Sequence, residues 1–223
     1  MKGLTLKSKQ IKELIFYGLM DLFLKEGFIY KKTHNQFEKI QTDYSFIFNF
    51  LMTSWSNHFS IDIRLYVSQK EIESIYESII GKSHKLTIGN TIDRIYASPN
   101  GREVINGNLT INLYSDEDIE AAVESLEKYY TSIAKNYFNK YQTLKSIDDI
   151  INNPPFEYSP GNVGSNFDER CMKGLIVARL VNNPSYENLV KIYDEAIKKT
   201  MNEESIANYH KVREFLMYNR IKK

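Results

Sequence analysis

Asp168, Glu169, Arg170 and Cys171 form one unbroken run, the densest set of ionisable and nucleophilic side chains in the chain. In such a group an acid could act as a general base while the arginine held an anion. No second carboxylate pair and no metal-ligand spacing accompanies the run. Ser165 stands three residues before Asp168, and that S-x-x-D spacing is fully accounted for by helix capping. Cys171 shares a helical face with Leu175, Ala178 and Val181. With no base identifiable beside it, it reads as a small core residue rather than a nucleophile. His34, His58, His84 and His210 are never three or four residues from one another, so neither a metal site nor a cofactor is expected. A G-x-S-x-G elbow, a P-loop and a dinucleotide fingerprint are absent.

A second set of candidates lies on a strand. From Phe59 to Val67 the chain alternates, placing Phe59, Ile61, Ile63, Leu65 and Val67 on one side and Ser60, Asp62, Arg64 and Tyr66 on the other. Asp62, Arg64 and Tyr66, with Asn112 from a later strand, would form the polar face of a sheet. Trp55 falls in the turn Thr53 to His58 that precedes this strand, where an exposed indole would be a contact anchor.

The chain has 223 residues, 42% hydrophobic and 26% charged, enough apolar material for a core. Lys and Arg number 29 against 28 Asp and Glu. A net charge of +1 gives no global field to draw the chain onto nucleic acid or an anionic membrane, so neither is expected as a partner. Sixteen tyrosines and twelve phenylalanines fall mostly at inward positions, without the interleaved basic residues of a nucleic-acid stacking surface. A single cysteine excludes an intramolecular disulfide framework. The lysine-rich start is not a secretory signal, and every apolar stretch is interrupted before the roughly 18 residues a membrane span needs. A cytoplasmic protein is expected.

Apolar residues at helical spacing predict a first helix from Ser8 to about Lys25. Period-two runs predict a hairpin, Phe28 to Lys32 and Gln36 to Thr42, and a strand Tyr44 to Met52. Ser68-Gln69-Lys70-Glu71 reads as a capping box opening a helix to Gly81. Strands are expected at Lys85 to Ile88, Thr91 to Ala97 and Leu109 to Tyr114, with turns at Ser98-Pro99-Asn100-Gly101 and Asn106-Gly107-Asn108. The acids Asp116, Glu117 and Asp118 open the longest helix, which runs to about Tyr141 and carries an acidic outer face. A short helix follows at Thr143 to Ile151. Helices at Ser165 to Val181, Tyr186 to Thr200 and Asn202 to Tyr218 complete the chain.

Strands and helices without regular βαβ alternation predict an α+β fold: five or six antiparallel strands, helices packed on one face, and a helical C-terminal extension. The first two helices are expected to cover the apolar face. The organisation reads as a sheet domain at 1–152, a Pro/Gly-rich linker at 153–164 and the extension at 165–223.

The initial helix, the turn Glu26-Gly27-Phe28, the aromatic strands and a long helix through Tyr129-Tyr130 and Tyr137-Phe138 resemble the bacterial family called domain of unknown function 4304, over residues 8–150. The resemblance implies an intracellular bacterial protein without assigned chemistry.

The expected function is a non-enzymatic interaction module. It would bind a protein partner through Asp62, Arg64, Tyr66, Asn112 and Trp55, or through the acidic helix, and a toxin-neutralising, immunity-like role suits such a module. The alternative is a hydrolase whose site lies between the sheet and the C-terminal helices, using Asp62, Arg64, Asp168, Glu169 and Arg170.

Overall fold

The two longest strands set the frame. In the computed structural model, which describes residues 4–82, 84–97, 109–153, 167–200 and 202–218, β3 (Tyr44–Ser54) and β4 (Phe59–Gln69) pair antiparallel along their whole length. Phe59, Ile61, Ile63, Leu65 and Val67 are all buried, as alternation requires. Beyond β3 lie β2 (Gln36–Ile40) and β1 (Ile29–Lys31), joined by a 3₁₀ turn at Lys32–His34 that Asn35 closes in the left-handed region, φ 49°. On its far edge β4 pairs with two short strands in succession, β5 (Ile88–Thr91) and β6 (Ile111–Leu113). The result is a six-stranded antiparallel sheet in an α+β fold.

The apolar face is filled by aromatic side chains. Phe23 of α1 (Ser8–Lys25) stacks on Phe37 at 4.1 Å and meets Phe48 and Tyr130. Phe138 reaches Phe28 and Phe46 from the other end. The cover is therefore α1 together with the long helix α4 (Asp118–Tyr129) and α5 (Lys135–Lys140), not the first two helices as the sequence suggested. A π turn at Tyr130–Ala134 joins α4 to α5. Its cause is visible in the burial. Ala122, Leu126, Tyr130, Ala134 and Phe138 recur every four residues, and in a 3.6-residue helix each such step rotates off the core. One widened turn takes up that drift and keeps Tyr130 and Phe138 against the same sheet.

Three other elements differ from expectation, the first being the strand expected at Lys85 to Ile88, which lies instead at Ile88–Thr91. Residues after Thr91 form a helix, α3 (Ile92–Ala97), instead of a strand. Ile92 and Ile95, three apart, are both buried, and Asp93 sits in the first turn, so the helical solution buries both isoleucines where alternation would expose one. The cap of α2 (Lys70–Ile80) is Gln69, whose side chain accepts from Ile72 N at 2.7 Å, rather than Ser68. Ser68 is held in β4 by its pairing with Ser45.

The stripe of α2 faces α7 (Phe167–Leu180) and α9 (Glu203–Tyr218), and α7 also packs on α6 (Leu144–Asn152) and α8 (Tyr186–Thr200). A buried polar network joins α6, α7 and α8. Asn152 donates to Asp148 at 2.7 Å and to Gly174 O at 2.9 Å, and accepts from Tyr193 OH at 2.6 Å. Buried side chains from α1 to α9 form one contiguous core. The turns at 98–101 and 106–108 and nearly all of the Pro/Gly-rich stretch, with Ser165, lie outside the described residues. None of the described helices is long and apolar enough to cross a membrane.

Cys171 has no exposed surface, and burial pushes its thiol up to about 12. Burial likewise raises Tyr130, Tyr141 and Tyr193 above the usual phenolic range. In the unfolded chain these groups ionise at their ordinary values, so the native state holds more protons above about pH 9, and stability falls as pH rises. At pH 8 the native thiol is expected to resist iodoacetamide while the urea-unfolded chain is fully alkylated. Equal alkylation rates in the two states would show that the thiol is not enclosed.

Candidate functional site

The run Asp168-Glu169-Arg170 turns out to hold helices together. Glu169 is 6% exposed and its Oε1 lies 2.9 Å from Lys173 Nζ, four residues on. Lys173 is completely buried. Its ammonium also touches Glu73 Oε1 of α2 at 2.9 Å, donates to Leu86 O at 2.8 Å and sits 5.1 Å from the Tyr76 ring centre. Glu73 further accepts from Thr87 Oγ1 at 2.6 Å, and Thr87 in turn accepts from Gln69 N. No donor points along a hydrogen bond at Glu169 Oε1, which is held by charge alone. Asp168 accepts from Ser205 Oγ of α9 at 2.6 Å and from the Glu169 amide, while Arg170 donates to Ile151 O at 3.4 Å. Asp168 and Arg170 are thus tied to neighbouring helices, and Glu169 to Lys173 of its own helix, which carries the link to α2. Sequence reasoning did not single out Lys173 or Glu73. The available signal was a Glu–Lys pair at i, i+4 on an otherwise apolar helix.

Asp62 and Arg64 lie elsewhere, in a crevice created by the strand order. β6 pairs with β4 at Phe59 to Ile61, and β5 pairs with it from Arg64 onward. Between them β4 has no strand neighbour on that edge among the described residues. Trp55 N donates to His58 O and Lys70 N to Asp43 O, so the main-chain groups of even residues in β4 face β3 and those of odd residues face β5 and β6. Ile63 is the odd residue left over. Its N–H and C=O point into the gap, opposite no strand among the described residues.

The gap opens into a cavity of about 460 Å3, lined by Asp62, Arg64 and Tyr66 on β4, by Asn90 to Arg94 on β5 and α3, and by Leu109 and Thr110. Thr110 Oγ1 donates to Asp62. Arg64 is half-buried and makes neither a hydrogen bond nor an ion pair among the described residues. Thr91, its cross-strand neighbour, has a hydroxyl shielded from water and without a partner. Tyr66 lies against Gly89, where a side chain would collide with its ring. No residue of α7 lines this cavity, so the acids the hydrolase reading drew from both places do not meet in it.

At the other end of the same strand face stands an aromatic group. Trp55 is 57% exposed yet fixed: its Nε1–H donates to Ser60 Oγ at 3.0 Å and its ring stacks on His58 at 5.8 Å, 11° from parallel. The His58 ring meets Tyr114, which is 56% exposed, at 5.5 Å. Asn112, exposed, pairs with Ser60 across β4 and β6. The outward face of β4 thus runs from this aromatic group through Ser60 and Asp62 to Arg64 and Tyr66, about 20 Å at strand rise. The C-terminal helices pack chiefly on α2, on α6 and on one another.

The acidic residues of the long helix divide. Asp116 accepts from the amides of Thr5 and Leu6, and Asp118 from those of Tyr114 and Ser115, whereas Glu117, Glu120 and Glu124 face solvent. The hydrogen bond from Thr5 holds the Asp116 carboxyl below its ordinary range. Among the described residues no three His, Cys, Asp or Glu side chains gather as metal ligands. Comparison with protein-family models, curated proteins and solved structures gives no match.

Proposed function

We propose that this protein is an interaction module that docks a protein partner on the outward face of β4, with Trp55, His58 and Tyr114 as the anchor. The immunity-like role expected from the sequence is the case in which that partner is a toxin. The observation that carries the reading is an indole left in water but held in one orientation by Ser60 and His58. The bond to Ser60 ties the indole to β4 while more than half of it stays in water. For a partner it removes the entropic cost of ordering the anchor, and tryptophan and tyrosine are the side chains that dominate binding energy at interfaces. Beside it the exposed Asn112 of β6 supplies a polar rim.

Position-specific photocrosslinking in the protein's own cells tests this. A photoreactive residue at Asn112 is expected to give one discrete adduct, and at Lys198 on α8, none. Trp55→Ala should reduce the Asn112 adduct at least tenfold, the loss of about 2 kcal/mol typical of a central aromatic anchor, while the chain stays folded and its unfolding midpoint falls only by the loss of the bond to Ser60. Adducts of equal yield from Asn112 and Lys198, or an Asn112 adduct indifferent to Trp55→Ala, would remove the face from consideration.

A further inference from the structure

The crevice between β5 and β6 has features that partner docking at Trp55 does not use. Arg64 presents a half-buried guanidinium to it with no counter-ion among the described residues, and a cation drawn partly out of water is stabilised by an anion with which it can share two hydrogen bonds. Arg94, exposed, lines the space as well, and so do Asp62 and Asp93, from which a bare polyanion would meet repulsion beside its attraction. A molecule with both charges would meet neither penalty. Thr91 Oγ1, across the strand pair from Arg64, is shielded and has no hydrogen-bond partner among the described residues. Buried polar groups of this kind are normally hydrogen-bonded, by protein, water or ligand. The volume, about 460 Å3, is that of a small-molecule pocket and ample for one amino acid with its side chain.

We infer that this crevice is a binding site for a free α-amino acid. The ligand's carboxylate pairs with Arg64 and accepts from Thr91, and its ammonium group faces Asp93 and the Asp62 carboxylate that Thr110 already orients. The site is chemically separate from the anchor at the other end of β4, and either can fail without the other.

Thermal shift measurements on the full chain, with each of the twenty common L-amino acids at millimolar concentration, test it. Controls are the α-amides of those that act, and inorganic phosphate alone. One amino acid or a related subset is expected to raise the unfolding midpoint, and its α-amide, lacking the carboxylate, to have little effect. Calorimetric titration of that amino acid should show affinity falling at least tenfold in Arg64→Gln, as loss of a charge-assisted hydrogen bond implies, and falling also in Asp93→Asn. Arg64→Gln removes no hydrogen bond or ion pair among the described residues, so its own midpoint should stay close to the parent's. The assignment is overturned if no amino acid shifts the midpoint, if α-amides act equally, if phosphate alone reproduces the shift, or if Arg64→Gln binds as before.

Discussion

Lys173→Met is expected to destabilise the protein by about 3–5 kcal/mol, the cost of leaving buried carboxylates without their cation. The substitution preserves length and apolar volume, so packing against Tyr76 changes little. What is lost is the charge between Glu73 and Glu169, each 2.9 Å from the ammonium, and the donor to Leu86 O. The two acids then face each other without the cation they shared, Glu73 still accepting from Thr87. If this is the mechanism, the damage lies in the orphaned acids more than in the missing lysine. The triple variant Glu73→Gln, Lys173→Met, Glu169→Gln should therefore recover about half of the loss or more, since neutral replacement of a whole buried ion cluster is often tolerated. Urea unfolding measures both. A single substitution costing under about 1 kcal/mol would mean that water reaches the cluster and the burial is not real.

Gly89→Ala should cost about 3 kcal/mol or more, for a different reason. A β-carbon there would sit 2.3 Å from Leu65 O and 2.3 Å from Tyr66 Cδ1, distances that demand movement of β5 away from β4. Overpacking a well-fitted site usually costs about 1–3 kcal/mol, and a clash with a main-chain carbonyl has no rotamer to relieve it. Trimming the ring, as Gly89→Ala with Tyr66→Ala, is accordingly expected to leave the loss largely in place. Full recovery in that double variant would show that the ring alone was the obstacle. Glycine here lets β5 approach β4 closely enough to pair before α3 turns away, and that departure creates the crevice.

The sheet was legible because alternation is a strong signal where one face is buried: each inward residue of β4 lies where period two places it. The polar face followed from the same alternation, and with it Asp62, Arg64 and Tyr66 as neighbours. Trp55 was legible as a turn aromatic, while its bond to Ser60 was not, since it depends on how the turn folds back. The crevice could not be read from the sequence at all. It arises because two short strands share one edge of β4, and short strands carry little local pattern: Ile92 and Ile95 fit a strand's composition and a helix's spacing equally. Glu169 was read as a helix-start acid because first-turn acids are usually that. Its partner Lys173 stands four residues on, a spacing the sequence does show, but the burial of that pair depends on Glu73 and Leu86, about a hundred residues earlier, meeting Lys173 in space.

The account divides the charges in two: those of α7 and α2 hold the fold, and those lining the β4 crevice serve recognition. Equilibrium urea unfolding of Lys173→Met and Arg64→Gln, side by side, separates them without any partner or ligand. The first should lose about 3–5 kcal/mol. The second should lie within about 0.5 kcal/mol of the parent or be more stable, as expected of a half-buried charge kept for binding. Arg64→Gln proving as costly as Lys173→Met, or Lys173→Met costing nothing, would contradict the division.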